Sequence, residues 1–274
     1  MRPERVKCPQ KGEKPMERIL LWPEGGAPYA AECAAQSEPS LAGYPVPGSR
    51  GAVIICPGGG YHWKAPHEGE PIALRLNEAG ISAYVLDYRV NPCPHDAPLN
   101  DALRAVRLLR AMGYEKVGIL GFSAGGNLAC SAATLYAPGD AAAEDPVERL
   151  TARPDALISC YSVVSMVNYP HVGSRAMLLG DQAHDHALAR RYSAELNVTA
   201  DTPPAFIWHT AEDETVPVEN SLNLAAAYSR CSVPYALHIF PKGRHGLGLA
   251  EEIPDTAKWS DLCCAWLRSQ GFAE

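Results

Sequence analysis

The sequence has no apolar run long enough to cross a membrane. Its longest mostly apolar stretches, at 52–56 and 81–86, are far shorter than the roughly 20 residues that a membrane-spanning helix needs. No run of seven apolar residues precedes Pro23, so we expect no secretory signal at this end of the chain. These absences predict a protein without a membrane partner, and we place it in the cytoplasm.

An excess of basic residues is also missing. The chain has 24 Lys and Arg against 31 Asp and Glu, for a formal net charge of −7, and neither sign forms a long run. Proteins that bind a phosphate backbone normally present a basic face. The charge balance therefore excludes nucleic acid as the expected partner.

Paired cysteine motifs are absent. The nine cysteines include no Cys-x-x-Cys pair, and an odd, scattered set favours reduced thiols over a disulfide framework. Cys263 and Cys264 fall in the last predicted helix, where we expect them to be buried as small apolar side chains. We predict no metal site and no cofactor.

What the chain does have is the composition of a soluble enzyme. Its 274 residues are 47% hydrophobic and 20% charged, which suits a folded core. Residues 1–15 are polar and contain three prolines, so we expect a flexible N-terminal extension. Residues 16–274 should form a single domain.

Apolar runs alternate with helical patterns along this domain. Continuous apolar strands separated by helices of ten or more residues are typical of a parallel sheet that is buried on both faces. The pattern predicts a three-layer α/β sandwich with a mostly parallel central sheet. Residues 23–49 should be irregular, and residues 162–203 should form a short lid insertion with one helix near 186–195. Strands are predicted at 17–22, 52–56, 81–87, 116–120, 156–160, 205–209 and 235–240, and helices at 66–79, 98–112, 124–136, 218–230 and 256–268.

The sequence Gly121-Phe122-Ser123-Ala124-Gly125 joins a predicted strand to a predicted helix. A G-x-S-x-G match alone is a weak signal, but this placement strengthens it. A sharp strand-to-helix turn needs glycine two residues before and after the serine, because a side chain there would collide with neighbouring backbone. The motif predicts that Ser123 is a nucleophile whose hydroxyl stands clear of the sheet at a helix N-terminus.

A serine hydroxyl needs an imidazole to accept its proton and a carboxylate to orient that imidazole. His245 follows the last predicted strand, at the edge of the sheet where it can reach Ser123. Asp213 lies in the middle of the loop after the preceding strand and is the favoured acid, with Glu212 and Glu214 as alternatives.

Glycines follow the strand that ends at Cys56. Consecutive glycines let backbone amides approach a substrate without a Cβ in the way, so Gly59 and Gly60 are the expected oxyanion donors, together with the amide of Ala124. The alternatives are a phosphate-binding loop or a plain turn. No Lys-Ser/Thr pair follows, which disfavours the phosphate loop.

Taken together, these motifs resemble those of the α/β-hydrolase superfamily, and within it the bacterial esterases described as acetylxylan-esterase or hormone-sensitive-lipase-like. The resemblance covers nearly all of 16–267. Two departures stand out, since lipases of the wider group have His in place of Pro57 and the esterase branch is expected to have His in place of Asn127. The matching segments are 19–25, 56–61, 68–71, 87–90, 121–129, 202–221 and 244–246.

The resemblance implies the α/β-hydrolase sandwich, the roles given above for Ser123, Asp213 and His245, and a serine carboxylesterase that removes small acyl groups, acetyl in particular, from sugar or xylo-oligosaccharide esters. The expected partner is that small-molecule or oligosaccharide ester, and homo-oligomerisation stays open. The aromatic residues beside the glycine loop are expected either to bind a sugar or to pack within the loop. They are Tyr61, His62 and Trp63.

Other functions use the same scaffold, because a fold does not determine a reaction. An exopeptidase or an aryl-formamide hydrolase would keep the same three residues with an amide substrate. A catalytically silent binding protein is a third alternative, which the presence of all three residues disfavours.

Overall fold

The computed structural model describes residues 16–273, and the strands in this range form one eight-stranded sheet. The predicted extension at 1–15 lies outside the described residues. The strands are β1 (Met16–Leu20), β2 (Ser40–Tyr44), β3 (Gly51–Cys56), β4 (Ser82–Asp87), β5 (Lys116–Phe122), β6 (Ala156–Cys160), β7 (Ala205–Thr210) and β8 (Tyr235–Phe240). Their order in the sheet is β1-β2-β4-β3-β5-β6-β7-β8. Strand β2 runs antiparallel to β1 and β4, and every other neighbouring pair is parallel, which confirms the mostly parallel sheet.

Helices cover both faces of the sheet, which confirms the three layers. They are α1 (Glu70–Glu78), α2 (Asp96–Ala111), α3 (Ser123–Thr134), α4 (Val172–Leu179), α5 (His186–Arg191), α6 (Glu219–Arg230), α7 (Pro254–Ala257) and α8 (Trp259–Ser269). The apolar core on one face includes Leu109 of α2, Leu128 of α3 and Leu224 of α6, and the core on the other includes Leu76 of α1 and Leu267 of α8. None of the helices in the described part of the chain has the length and apolar character needed to cross a membrane.

Two segments are more regular than the sequence predicts. The segment at 23–49 contains β2, which has no alternating pattern because both of its faces are covered. Leu41 belongs to the apolar core on one face of the sheet, and Tyr44 belongs to the core on the other. The segment at 162–203 contains α4 in addition to the expected α5. Only Ser174, Leu178 and Leu179 of α4 are buried, so the helix shows no clear apolar stripe in the sequence.

The cysteines require one correction. Cys33 and Cys93 form a disulfide across 60 residues of sequence, so the expectation of reduced thiols is wrong for this pair. Nothing in the local sequence marks the pair, because its two members meet only when the segment before β2 packs beside the loop after β4. Cys263 and Cys264 are free and buried, which confirms the prediction for them.

A buried ion pair fixes the end of β4. The Arg89 guanidinium donates to the Asp101 carboxylate of α2 at 2.7 and 3.1 Å, and the Arg89 backbone amide donates to it at 2.8 Å. The two side chains are 2% and 0% exposed. Arg89 also donates to the backbone carbonyl of Pro28. The pair thus joins β4, α2 and the segment before β2.

We expect Asp101→Ala to lower the free energy of unfolding by about 3–5 kcal/mol, because it leaves the Arg89 guanidinium buried without its carboxylate. Urea denaturation measures the change. Lys258→Ala is the matched control, since it breaks an ion pair with Asp255 in which both side chains are mostly exposed, and it should cost less than about 1 kcal/mol. Equal losses in the two variants would contradict this account.

Candidate active site

The turn between β5 and α3 presents Ser123 to the carboxyl edge of the sheet. Ser123 has a φ of 52°, in the left-handed region that a non-glycine residue adopts only when its surroundings enforce it. A Cβ on Gly121 would lie 2.1 Å from the Gly125 carbonyl oxygen, and a Cβ on Gly125 would lie 2.2 Å from that of Cys56. Both glycines are therefore required by backbone contacts, as the sequence analysis expects.

Three side chains that are distant in the sequence form one hydrogen-bonded row. The Nε2 atom of His245 lies 2.7 Å from the Ser123 Oγ, and its Nδ1 atom lies 2.6 Å from the Asp213 Oδ2. A carboxylate can only accept, so Nδ1 carries the proton and Nε2 is free to accept from the serine. The alternative acids do not enter this row, because Glu212 pairs with Lys242 and Glu214 is exposed.

Asp213 is held by several donors at once. His209 of β7 is fully buried, and its Nε2 atom lies 3.2 Å from the Asp213 Oδ2. The Val216 amide donates to the Asp213 Oδ1 at 2.9 Å. Burial alone would raise the pKa of the Asp213 carboxyl, but the hydrogen bonds from His209, His245 and Val216 outweigh it and hold this pKa well below its ordinary value. The carboxylate therefore stays charged beside the imidazole.

The glycine loop lies directly against the serine turn. A Cβ on Gly58 would lie 3.0 Å from the Ser123 Cβ. Gly59 and Gly60 have φ values of 129° and 66°, and neither amide donates a hydrogen bond to another described residue. The Ala124 amide is in the first turn of α3, where helix amides lack an i−4 acceptor. Ala124 directly follows Ser123, and Gly59 and Gly60, whose amides have no described acceptor, belong to the loop that contacts the serine turn through Gly58.

A buried carboxylate that the sequence analysis did not assign supports this loop. Glu68 is 2% exposed. It accepts from the Gly58 amide at 2.7 Å and from the Tyr161 hydroxyl at 2.6 Å. The same hydroxyl accepts from the Gly248 amide at 2.9 Å, so the network joins the glycine loop to the loop that carries His245. The only sequence signal was the Glu68–Pro71 segment, which entered as part of the family resemblance without a role.

Tyr161 also packs against the imidazole. Its ring centroid lies 5.2 Å from that of His245, in an edge-on arrangement. Burial and the neighbouring Glu68 carboxylate raise the pKa of the Tyr161 phenol well above its ordinary value, so the hydroxyl stays protonated and donates to Glu68. Tyr161 therefore links the orientation of His245 to the Glu68 network.

The aromatic residues after the glycine loop divide into two groups. Tyr61 is 1% exposed, and its hydroxyl donates to the Asn127 Oδ1 at 2.8 Å, so for this residue the structure favours the packing alternative over contact with a sugar. Asn127, where the esterase branch is expected to have His, also donates to the Tyr192 carbonyl at 2.9 Å. His62 and Trp63 are exposed, and their contact with substrate stays a prediction.

A polar cleft of about 520 Å³ reaches the imidazole from outside the sheet. It is bounded by the loop that carries Asp213 and by Arg244 and His245, and Glu212, Glu214 and Thr215 also line it. Neither Ser123 nor the glycine loop lines this cleft, which lies on the Asp213 side of the imidazole. Within residues 16–273, no three His, Cys, Asp or Glu side chains are grouped as ligands for a metal ion.

Comparison with known proteins finds one family model and several similar proteins. A family model described as BD-FAE matches residues 47–228. An endo-1,4-beta-xylanase B of Butyrivibrio fibrisolvens is 38% identical over 214 residues, which cover 74% of this chain and 33% of that protein. An acetylxylan esterase of Xylanibacter ruminicola is 32% identical over 208 residues, which cover 72% of this chain and 41% of that protein. The chain thus spans a third to two-fifths of these curated relatives.

A solved structure matches the whole described fold more closely. The acetyl ester-xyloside bifunctional hydrolase from Caldicellulosiruptor lactoaceticus is 43% identical and superposes with a TM-score of 0.91. The match covers 96% of this chain and 100% of that chain. The similarity therefore extends beyond the BD-FAE segment to the strands at both edges of the sheet.

We expect Glu68→Gln to lower kcat about 10- to 100-fold while KM changes little. Gly58 and Tyr161 donate to different oxygens of Glu68, and glutamine replaces one of these oxygens with an NH2 group that only donates. One buried donor then loses its acceptor, and the glycine loop shifts away from the position in which its amides would bind developing negative charge. Steady-state kinetics with an acetyl ester measures both constants.

Glu78→Gln is the matched control, because Glu78 lies near the end of α1 with a side chain that is 68% exposed. It should leave kcat and the melting temperature unchanged. A Glu68→Gln protein that melts earlier but retains the wild-type kcat would show that Glu68 stabilises the fold without positioning the loop.

Proposed function

Because the chain belongs to the BD-FAE family and has the α/β-hydrolase fold, we propose that it is a serine carboxylic ester hydrolase. Its substrates are esters of small acyl groups, acetyl in particular, on sugars or xylo-oligosaccharides. The observation that carries this proposal is the hydrogen-bonded row from Ser123 through His245 to Asp213. A serine, an imidazole and a carboxylate in this order form the arrangement that makes a serine nucleophilic at neutral pH.

In the first half of the proposed reaction, the Ser123 Oγ attacks the carbonyl carbon of the ester. The His245 Nε2 takes the serine proton, and the Asp213 carboxylate stabilises the resulting imidazolium through Nδ1. The negative charge that develops on the carbonyl oxygen is held by the amides of Gly59, Gly60 and Ala124. When the intermediate collapses, the bond to the alcohol oxygen breaks and His245 gives its proton to that oxygen.

The second half releases the acid. The neutral imidazole now takes a proton from water, and the hydroxide equivalent attacks the acyl-enzyme carbonyl carbon. Collapse of this second intermediate breaks the bond to the Ser123 Oγ, which recovers its proton from His245. The net reaction consumes one ester and one water and yields one carboxylic acid and one alcohol.

The similar proteins support a sugar as the alcohol, since they include one named for acetylxylan and one for acetyl esters and xylosides. A small acyl group fits the limited access to the nucleophile, since Ser123 is only 8% exposed.

We expect Ser123→Ala to lower kcat on phenyl acetate and on acetylated xylo-oligosaccharides by on the order of 10⁴-fold or more, because no other group can form the acyl-enzyme. Rates follow from acetate release. A fluorophosphonate probe should label the wild-type protein and leave the variant unlabelled.

Ser229→Ala, on the exposed side of α6, is the matched control and should keep full activity and labelling. The wild-type enzyme should prefer acetyl over butyryl and feruloyl esters. Faster turnover of peptides or aryl formamides than of esters would favour the exopeptidase or formamidase alternatives, and an unlabelled wild-type protein would favour a silent binding protein.

A further inference from the structure

His171 lies at the start of α4, beside the glycine loop. Its Nδ1 atom is 2.8 Å from the Ser174 Oγ, and a Cβ placed on Gly60 would lie 3.9 Å from the same oxygen. One side chain, that of Ser174, thus separates the imidazole of His171 from the loop that carries the candidate oxyanion amides. The sequence analysis gave His171 no role.

The hydrogen bonds of His171 determine which ring nitrogen carries the proton. The Ser174 amide donates to Nδ1 at 3.2 Å as the cap of α4. Because an N–H group can only donate, Nδ1 must be an acceptor, and the neutral ring carries its proton on Nε2. No described residue accepts a hydrogen bond from this Nε2, so His171 presents an unused donor.

The electrostatic surroundings keep the ring neutral. Burial lowers the pKa of the His171 imidazole, His245 lowers it further, and Asp213 opposes them. Both charged neighbours that act on this pKa belong to the row of Ser123, His245 and Asp213. A neutral imidazole at this place is a hydrogen-bond donor that does not compete with His245 for the serine proton.

The segment that carries His171 is held in place. The Asn220 Oδ1 accepts from the amides of Val164 and Ser165 at 3.0 Å each, and its Nδ2 donates to the Tyr169 carbonyl at 3.1 Å. Arg175 donates to the Met166 carbonyl at 2.9 Å. These contacts flank His171 on both sides, so its position beside the glycine loop is fixed by the fold.

We propose that His171 determines specificity by donating a hydrogen bond from Nε2 to an oxygen of the alcohol part of the ester. This inference rests on the proposed function. The carbonyl oxygen of the ester is assigned to the glycine amides, the leaving oxygen lies next to His245, and an acetyl methyl has no acceptor. The remaining acceptors are the hydroxyl and ring oxygens of a sugar, so the donor distinguishes a sugar ester from an ester of a simple alcohol.

Two substitutions separate the donor from the helix cap. His171→Asn keeps an acceptor for the Ser174 amide, since Asn is a good N-cap residue, but removes the donor at the Nε2 position. His171→Gln places an amide nitrogen near the Nε2 position and loses the cap. His186→Asn, at the exposed start of α5 in the same segment, is the matched control.

The measurement compares kcat/KM for acetylated xylo-oligosaccharides and for phenyl acetate, which has no acceptor beyond its ester group. We expect His171→Asn to lower kcat/KM for the sugar ester roughly 5- to 20-fold, as for the loss of a neutral hydrogen bond, and to change phenyl acetate less than about twofold. His171→Gln should stay within about threefold of wild type on the sugar ester, although the lost cap lowers its melting temperature.

The remaining outcomes are also decisive. Equal losses on both substrates in His171→Asn, or no loss on either, would overturn the inference while wild-type turnover of the sugar ester still supports the proposed function. A wild-type enzyme that hydrolyses phenyl acetate but no sugar acetate would overturn the sugar substrate and with it this role of His171. A wild-type enzyme that is inactive on both would overturn the proposed function itself.

Discussion

The close approach of two backbone segments is the constraint on which the site depends. The turn at 121–125 and the loop at 57–60 touch backbone to backbone, so that a Cβ on Gly125 would lie 2.2 and 2.3 Å from the carbonyl oxygens of Cys56 and Pro57. This contact brings Ser123 close to the loop of the candidate oxyanion amides before any side chain is considered. Because parallel β3 and β5 are direct neighbours, the contact follows from the sheet order and the glycines at its edge.

Two buried carboxylates then orient the groups around this contact. Asp213 collects donors from His209, His245 and Val216, and Glu68 collects donors from Gly58 and Tyr161. A buried charge is costly unless several donors satisfy it, so each carboxylate also holds its donors in position. Asp213 orients the imidazole of His245, and Glu68 orients the glycine loop. Tyr161 connects the two groups, because it donates to Glu68 and packs against His245.

The sequence predicts those features that local rules determine. Continuous apolar runs specify the central strands, and the glycines around Ser123 reflect a clash that any side chain would cause. Strand β2, helix α4 and the disulfide of Cys33 were missed or misjudged, since they depend on partners distant in the chain. The same limit applies to Tyr61, because the sequence does not show that Asn127 binds its hydroxyl within the core. It also applies to Glu68, whose partner Tyr161 lies 93 residues away in the sequence.

The attachment of the segment at 162–203 has a consequence for how substrates are chosen. Its contacts with Asn220, Ser193 and Asn91 tie it to α6, to its own second half and to the loop after β4. Two of these contacts reach elements outside the segment, so we expect it to offer a substrate a rigid surface and not to close over it as a lid. Selection between substrates then depends on whether the shape and the polar groups of a molecule already match the site. Little of the binding free energy is needed to change the conformation of the protein.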